Sequence, residues 1–247
     1  MLKDLPFGVC PPGKAKYILN DTPKDNAKRW EAIDGDWVDT GVPVFYVGNK
    51  DGYREEAWEK INWEDCVIFL GDSATFGLAG PNEHCVPKQL ESIIGKKVVN
   101  MSVPGSSSEF YIAVVCSLLR SVPVKDVVLC HPSMPRIWDP IGSTGNLGPW
   151  LEENDSFAPE SYSLYNEWMK VEKRLTHKHF YNTITLRTLL KDANLFEWAW
   201  HEEVADFLNL PFYQVVGHSP ENLARDGLHP NVNINSGIAR NIANAIG

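Results

Sequence analysis

What the chain lacks narrows the field first. No Lys/Arg cluster exceeds a pair or triplet, and acidic residues outnumber basic ones, 32 to 23, for a formal charge of −9. Nucleic-acid binding leaves a basic footprint, so neither nucleic acid nor an anionic membrane surface is expected as a partner. None of the five cysteines (Cys10, Cys66, Cys85, Cys116, Cys130) forms a C-x-x-C pair, which argues against a zinc ribbon or a redox motif. Their number is odd and several sit in apolar runs, where Cys behaves as a small core residue. A reducing compartment is therefore expected. The longest apolar run, Phe110 to Leu119, is broken by Ser117 and is too short to span a bilayer. The first ten residues carry no apolar stretch of signal-peptide type, so the expectation is a cytoplasmic protein. Solenoid-length repeats are absent. So is any G-x-G-x-x-G or Walker loop after a strand, which counts against a nucleotide binder.

What is present points to an ordinary globular core. The 247 residues are 43% hydrophobic and 22% charged, with 18 Gly and 17 Pro, a length that suits one large domain. Residues 1–64 are rich in Asp, Lys, Gly, Pro and Trp, with one strand-like run at Val42 to Val47. They read as an N-terminal extension packed on a core of 65–247.

From Cys66 onward strands and helices alternate. Cys66 to Leu70 is continuously apolar and ends at Gly71, as a strand buried on both faces would be. Val86, Leu90, Ile93 and Ile94 follow helical spacing, and Gly95 is the helix stop. Lys97 to Met101 reads as a second strand. Pro104-Gly105 turns the chain, and Ser106-x-x-Glu109 predicts a capping box for a helix over 107–120. A third buried strand spans Asp126 to Cys130. Residues 139–161 read as a long loop, either a lid or an insertion. Helices are predicted over 162–175 and 181–208, a strand at Phe212 to Val216, and a closing helix through Ile238, Ala239, Ile242, Ala243 and Ile246. Alternation of this kind implies a mostly parallel sheet with right-handed crossovers, hence a three-layer α/β/α sandwich.

In such sheets ligands bind beyond the carboxyl ends of the strands. Gly71-Asp72-Ser73-Ala74-Thr75-Phe76-Gly77 follows the first strand, Asn100 to Gly105 the second, and Asp226-Gly227-Leu228-His229-Pro230-Asn231 the last. A Ser at a strand-to-helix turn is exposed near the positive end of a helix, but it is a weak nucleophile without a base. His229 can be that base, and Asp226 can fix its tautomer. The backbone N–H groups of Ser73 and Gly105 can form an oxyanion hole. Thr75 stands where a G-x-S-x-G elbow would need its second glycine, so the α/β-hydrolase pattern is not met.

These blocks resemble those of the SGNH/GDSL hydrolase superfamily. The match runs from about residue 65 to the C-terminus. Upstream, Asn49-Lys50-Asp51-Gly52-Tyr53-Arg54 looks like the Asn-x-x-Gly-aromatic-Arg element of bacterial and phage-type members. The resemblance implies a flavodoxin-like hydrolase fold and a serine esterase in which Ser73 is the nucleophile. It also makes Gly105 an oxyanion donor, with Asp226 and His229 completing the triad. It implies no metal or organic cofactor.

One block departs from the family pattern. The third normally reads Gly-x-Asn-Asp, and its Asn donates to the oxyanion; here Leu129 to Arg136 contains no Asn. His131, Ser133 and Arg136 are the candidate substitutes. Two readings follow. One is an esterase of small acyl esters, with O-acetyl groups on a carbohydrate as the expected substrate. The other is a catalytically impaired protein of the same fold that binds a glycan or a protein partner. His177-Lys178-His179 and His201-Glu202-Glu203 can in principle supply metal ligands, but they read as a solvated helix face. The tryptophans, Trp138, Trp150, Trp168, Trp198 and Trp200 among them, can stack on a sugar or fill the core.

Overall fold

A computed structural model of the chain describes residues 2, 4–6, 8–10, 12, 44, 46–138, 146–148, 163, 165–167, 172–213, 222–224 and 229–247. Its centre is a parallel sheet of β1 (Cys66–Leu70), β2 (Lys97–Asn100), β3 (Asp126–His131) and β6 (Asn194–Ala199), in the order β2-β1-β3-β6. Phe212 adds an isolated parallel bridge to Ala199 at the β6 edge. The order of the strands reverses between β1 and β3. That reversal is where a doubly wound sheet opens a crevice for ligand.

Both faces of the sheet are covered. Successive side chains of a strand point to opposite faces. Val67, Phe69, Val98, Val128, Cys130 and Trp198 pack under α2 (Val86–Ile94) and α6 (Val232–Ile246) through Leu90, Ile238 and Ile242. Ile68, Leu70, Val99, Met101, Val127 and Leu129 pack under α3 (Ser108–Leu119) and α4 (Glu172–Leu189) through Phe110, Val114, Leu118 and Leu186. Each such fully buried aliphatic or aromatic side chain stabilises the fold by roughly 1.5–3 kcal/mol. The architecture is the expected α/β sandwich. Tyr53, Trp58 and Ile61 belong to the second of these clusters.

Three local expectations need correction. Residues 181–208 are not one helix: α4 ends at Leu189, β6 intervenes, and α5 (Glu202–Leu208) follows. The reason is tertiary pairing along the whole of β3, from Asp126↔Asn194 to His131↔Ala199, which overrides local propensity. The capping box of α3 does not form either. Ser107, not Ser106, stands at the N-cap, with no side-chain cap bond. Ser106 Oγ donates to Gly71 O at 3.0 Å, and Glu109 pairs with Lys178 Nζ at 3.0 Å. Finally, of the histidines assigned to a solvated face only His177 is exposed. His179 is 1% exposed, and His201, two residues beyond β6, is half-buried.

The stretch read as a loop contains a short strand, β5 (Asn146–Leu147), which pairs antiparallel with β4 (Ile137–Trp138) just before it; apart from 146–148, residues 139–161 lie outside the described residues, as do Trp168, most of 162–171 and 214–216. Of the run 42–47, Tyr46 is fully buried. All five cysteines are free thiols, and all but Cys116 are buried. Among the described residues no helix is long and apolar enough to cross a membrane.

Candidate active site

The chain leaves β1 through Gly71 and immediately forms α1 (Ser73–Phe76), a helix of 4 residues. A helix this short cannot hold itself in water, because nucleation costs more than one turn returns. It is held from outside. At its start, Asp72 is the N-cap and its Oδ1 accepts from Ala74 N at 3.1 Å. A Cβ on Gly71 would run into Thr75 Oγ1, so glycine is required there. Thr75 Oγ1 in turn donates to Asp72 O at 3.1 Å and meets Ser102 Oγ at 3.0 Å. At its end, Gly77 adopts φ +79°, a left-handed cap that favours glycine.

The Asn49–Arg54 element clamps that far end. Asn49 Oδ1 accepts from Asp51 N (3.1 Å) and Tyr53 N (3.2 Å), closing a turn through Gly52. The turn aims Arg54 at α1. Its Nη1 donates to Gly77 O at 2.7 Å, its Nη2 to Gly80 O at 2.9 Å, and its guanidinium lies 4.7 Å from the Tyr46 ring centroid. Arg54 is 3% exposed. The consequence shows in burial. From Cys66 to Ala79 every residue is buried except Ser73.

The loop after β2 closes against the same turn. Met101 N donates to Phe69 O at 2.8 Å and Val103 N to Gly71 O at 3.0 Å. Gly105 follows with φ +74°. The Ser73 N–H, first of its helix, has no intrahelical acceptor. Asn100 is fully buried and structural: its Oδ1 accepts from Ser102 N at 3.0 Å.

The loop after β3 divides the three candidate substitutes. His131 is fully buried, with Nε2 2.9 Å from Glu197 Oε1, and Glu197 Oε2 accepts from Arg187 Nε at 2.7 Å. Its ring packs 5.6 Å from that of His179, in the α4 layer. Ser133 is half-buried. Arg136 reaches the Ser73 turn, with Nη1 donating to Asp72 Oδ2 at 2.6 Å. Burial pushes the Asp72 carboxyl up, but Arg136, His201 and the Ala74 amide outweigh it and hold it below the usual carboxylate range.

His201 is the residue that sequence reasoning missed. It follows β6 as the residue before α5, and Asp72 and Arg136 both act on its charge. Burial lowers its pKa, Asp72 opposing and Arg136 assisting. Its Nε2 has no hydrogen-bond partner among the described residues. The alternation of Phe196, Trp198 and Trp200 up to His201 is the available signal: a strand-like period of two that ends in a polar side chain just beyond the carboxyl end of β6.

His229 is half-buried just before α6. Ala224 N donates to His229 O at 2.6 Å, and Leu223 and Pro230 form an antiparallel bridge. Asn231 caps α6, its Oδ1 accepting from Asn233 N at 3.0 Å. Asn235 Nδ2 donates to His84 O at 3.0 Å and Pro230 O at 3.4 Å, tying the His229 segment to the chain that follows α1. Asp226 lies outside the described residues. Among the described residues no cluster of three or more His, Cys, Asp or Glu is placed to hold a metal.

No family model and no curated protein matches the chain. Among solved structures it is similar to the psychrotrophic esterase EstA from Pseudoalteromonas sp., at 12% identity and a TM-score of 0.44, covering 73% of this chain and 96% of that one. It is also similar to a GDSL-like lipase from Bacteroides thetaiotaomicron, at 13% identity and a TM-score of 0.42, covering 92% of this chain and 98% of that one. At this degree of likeness the case for function rests on the site's own residues.

Proposed function

We propose that the chain is an SGNH/GDSL-type serine esterase that cleaves small acyl esters, with O-acetyl groups on a carbohydrate as substrate. One observation carries the reading. Ser73 is the single residue left unburied in a run of fourteen, at the carboxyl end of β1 beside the reversal of strand order. A turn clamped at both ends that buries everything but a hydroxyl-bearing side chain suits a nucleophile.

The chemistry follows the triad pattern. His229 takes the Ser73 Oγ proton as Oγ attacks the ester carbonyl, and Asp226 stabilises the imidazolium. The N–H groups of Ser73 and Gly105 receive the oxyanion. Collapse of the tetrahedral species breaks the ester C–O bond, the alcohol leaves with the His229 proton, and Ser73 holds the acyl group. Water, deprotonated by His229, then attacks the acyl-enzyme and releases the carboxylic acid and Ser73. No step requires a metal or organic cofactor.

The carbohydrate assignment is supported by exposed aromatic rings and by the net charge. Phe180 and Tyr181 on α4 and Phe207 on α5 are exposed, with Phe180 5.8 Å from Tyr181 and 6.1 Å from Phe207. Amphipathic ring faces suit sugar stacking, and a charge of −9 suits a neutral ligand better than a polyanion. The test is fluorophosphonate labelling together with hydrolysis of p-nitrophenyl acetate and acetylated xylan. Wild type is expected to label and turn over, and Ser73→Ala to do neither. Absence of both in wild type would overturn the reading.

A second reading, a catalytically impaired glycan- or protein-binding member of this fold, is favoured by His131. Its Nε2 is engaged by Glu197, and the ring is fully buried. The loop that normally supplies an oxyanion Asn therefore has no exposed imidazole in its place.

A further inference from the structure

A nucleophile on a helix of 4 residues takes its direction from whatever fixes the cap. Here that is Asp72, and both of its oxygens are committed. Oδ1 accepts from Ala74 N at 3.1 Å, and Oδ2 accepts from Arg136 Nη1 at 2.6 Å. The Asp72 side chain is 2% exposed and that of Arg136 12%. A carboxylate that deep is costly unless paired. A short guanidinium–carboxylate bond also restrains rotation of the acid, which a lone cap bond does not. Arg136 is itself anchored: its carbonyl accepts from Lys178 Nζ, which pairs with Glu109 at 3.0 Å, and Ile137 beside it is in β4. The cation comes from the loop after β3, the block in which the expected Asn is missing.

We propose that Arg136 is a positioning residue for Ser73: by locking the Asp72 carboxylate it fixes the cap of α1 and hence the direction of the Ser73 hydroxyl. This rests on the esterase reading only for its rate consequence; the conformational consequence stands by itself. Misplacement of a reacting atom by about 1 Å costs on the order of 10² in rate. Arg136→Met is therefore expected to lower kcat and the fluorophosphonate labelling rate of Ser73 by on the order of 10-fold to 10²-fold, with KM within about twofold. Arg136→Lys keeps the charge without the planar fork and should fall between the two. The effects of Arg136→Met and Asp72→Asn should be non-multiplicative, the double variant labelling no more slowly than the slower single one, because both act through one cap.

The experiment is the labelling rate of wild type, Arg136→Met, Arg136→Lys, Asp72→Asn and the double variant, with amide hydrogen exchange on the same samples. Exchange at the capped Ala74 N–H should accelerate about tenfold or more in Arg136→Met, while the sheet amide of Val99 keeps wild-type protection. A merely structural role would move both amides together. Labelling of Arg136→Met within twofold of wild type, or effects that multiply, would overturn the inference. If wild-type Ser73 does not label at all, the esterase reading falls. The Ala74 exchange then decides the positioning role alone, with an unchanged rate in Arg136→Met contradicting it.

Discussion

Two carboxylates of this protein are equally hidden and do different work. The side chains of Asp72 and Glu55 are each 2% exposed, and both are held below the usual carboxylate range against a burial that pushes them up. Glu55 is held by Lys88 at 3.3 Å, Lys97 at 2.9 Å and the Asn100 amide at 3.0 Å. It stitches the residues before β1 to α2 and to the edge strand β2. Asp72 is held by one arginine and one amide, at the carboxyl end of β1 next to Ser73, the one half-buried residue of the turn. The physics of the two pairs is the same. What separates a structural from a functional role is position: the side of a strand in one case, its carboxyl end at the reversal of strand order in the other.

That contrast can be broken by mutation. The largest effect is expected at Ser73 itself, where Ser73→Ala should remove ester hydrolysis by several orders of magnitude while leaving the melting temperature within about 2 °C of wild type. Next comes Glu55→Gln, which leaves two lysines facing a neutral group. It should cost about 3 kcal/mol in denaturant-unfolding free energy, with kcat per folded molecule unchanged. If it lowers kcat at full folding, the separation of roles fails.

Acid should sharpen the comparison. Burial, with His131 and Lys178 alongside, depresses His179 to about 3. A histidine with a lowered folded pKa binds its proton only in the unfolded chain between that value and its ordinary 6.5. Stability contributed by the neutral ring is therefore complete above pH 6.5 and is lost as pH falls toward 3, by on the order of 4 kcal/mol in all. The two carboxylates add a loss that begins only below their ordinary values, 3.8 for Asp72 and 4.5 for Glu55. Chemical denaturation at pH 7, 5 and 4 should show the early loss in wild type and a reduced one in His179→Leu. The smallest effect is expected on the exposed face of α4: Tyr181→Ser, at a residue 65% exposed, should raise KM for an acetylated sugar about threefold to tenfold, given about 1 kcal/mol for a lost stacking contact, without changing stability.

The readable parts of the chain were those whose signal is local. Cys66 to Leu70 and Asp126 to Cys130 are uninterrupted apolar runs, and burial on both faces is why they look that way. Gly71 and Gly77 mark the Ser73 turn because sterics admit only glycine at the first and favour it at the second. β6 was misread because Glu197 and the polar flank Lys191 to Asn194 resemble a helix surface. The Glu197 carboxylate is answered by Arg187 from the end of α4 and by His131, 66 residues away in sequence. Arg136 had no local mark as a partner of Asp72, since 64 residues separate them. The capping box of α3 misled for a similar reason, because the Ser106 hydroxyl is drawn to a carbonyl at the end of β1 instead.

The central claim is that Ser73, activated by His229, is a nucleophile. Its most direct test is mass-spectrometric localisation of a fluorophosphonate adduct on the intact chain. A single adduct on the peptide bearing Ser73, lost in Ser73→Ala and slowed at least 10²-fold in His229→Ala, is the predicted result. No adduct, or an adduct on another residue that survives Ser73→Ala, would contradict it.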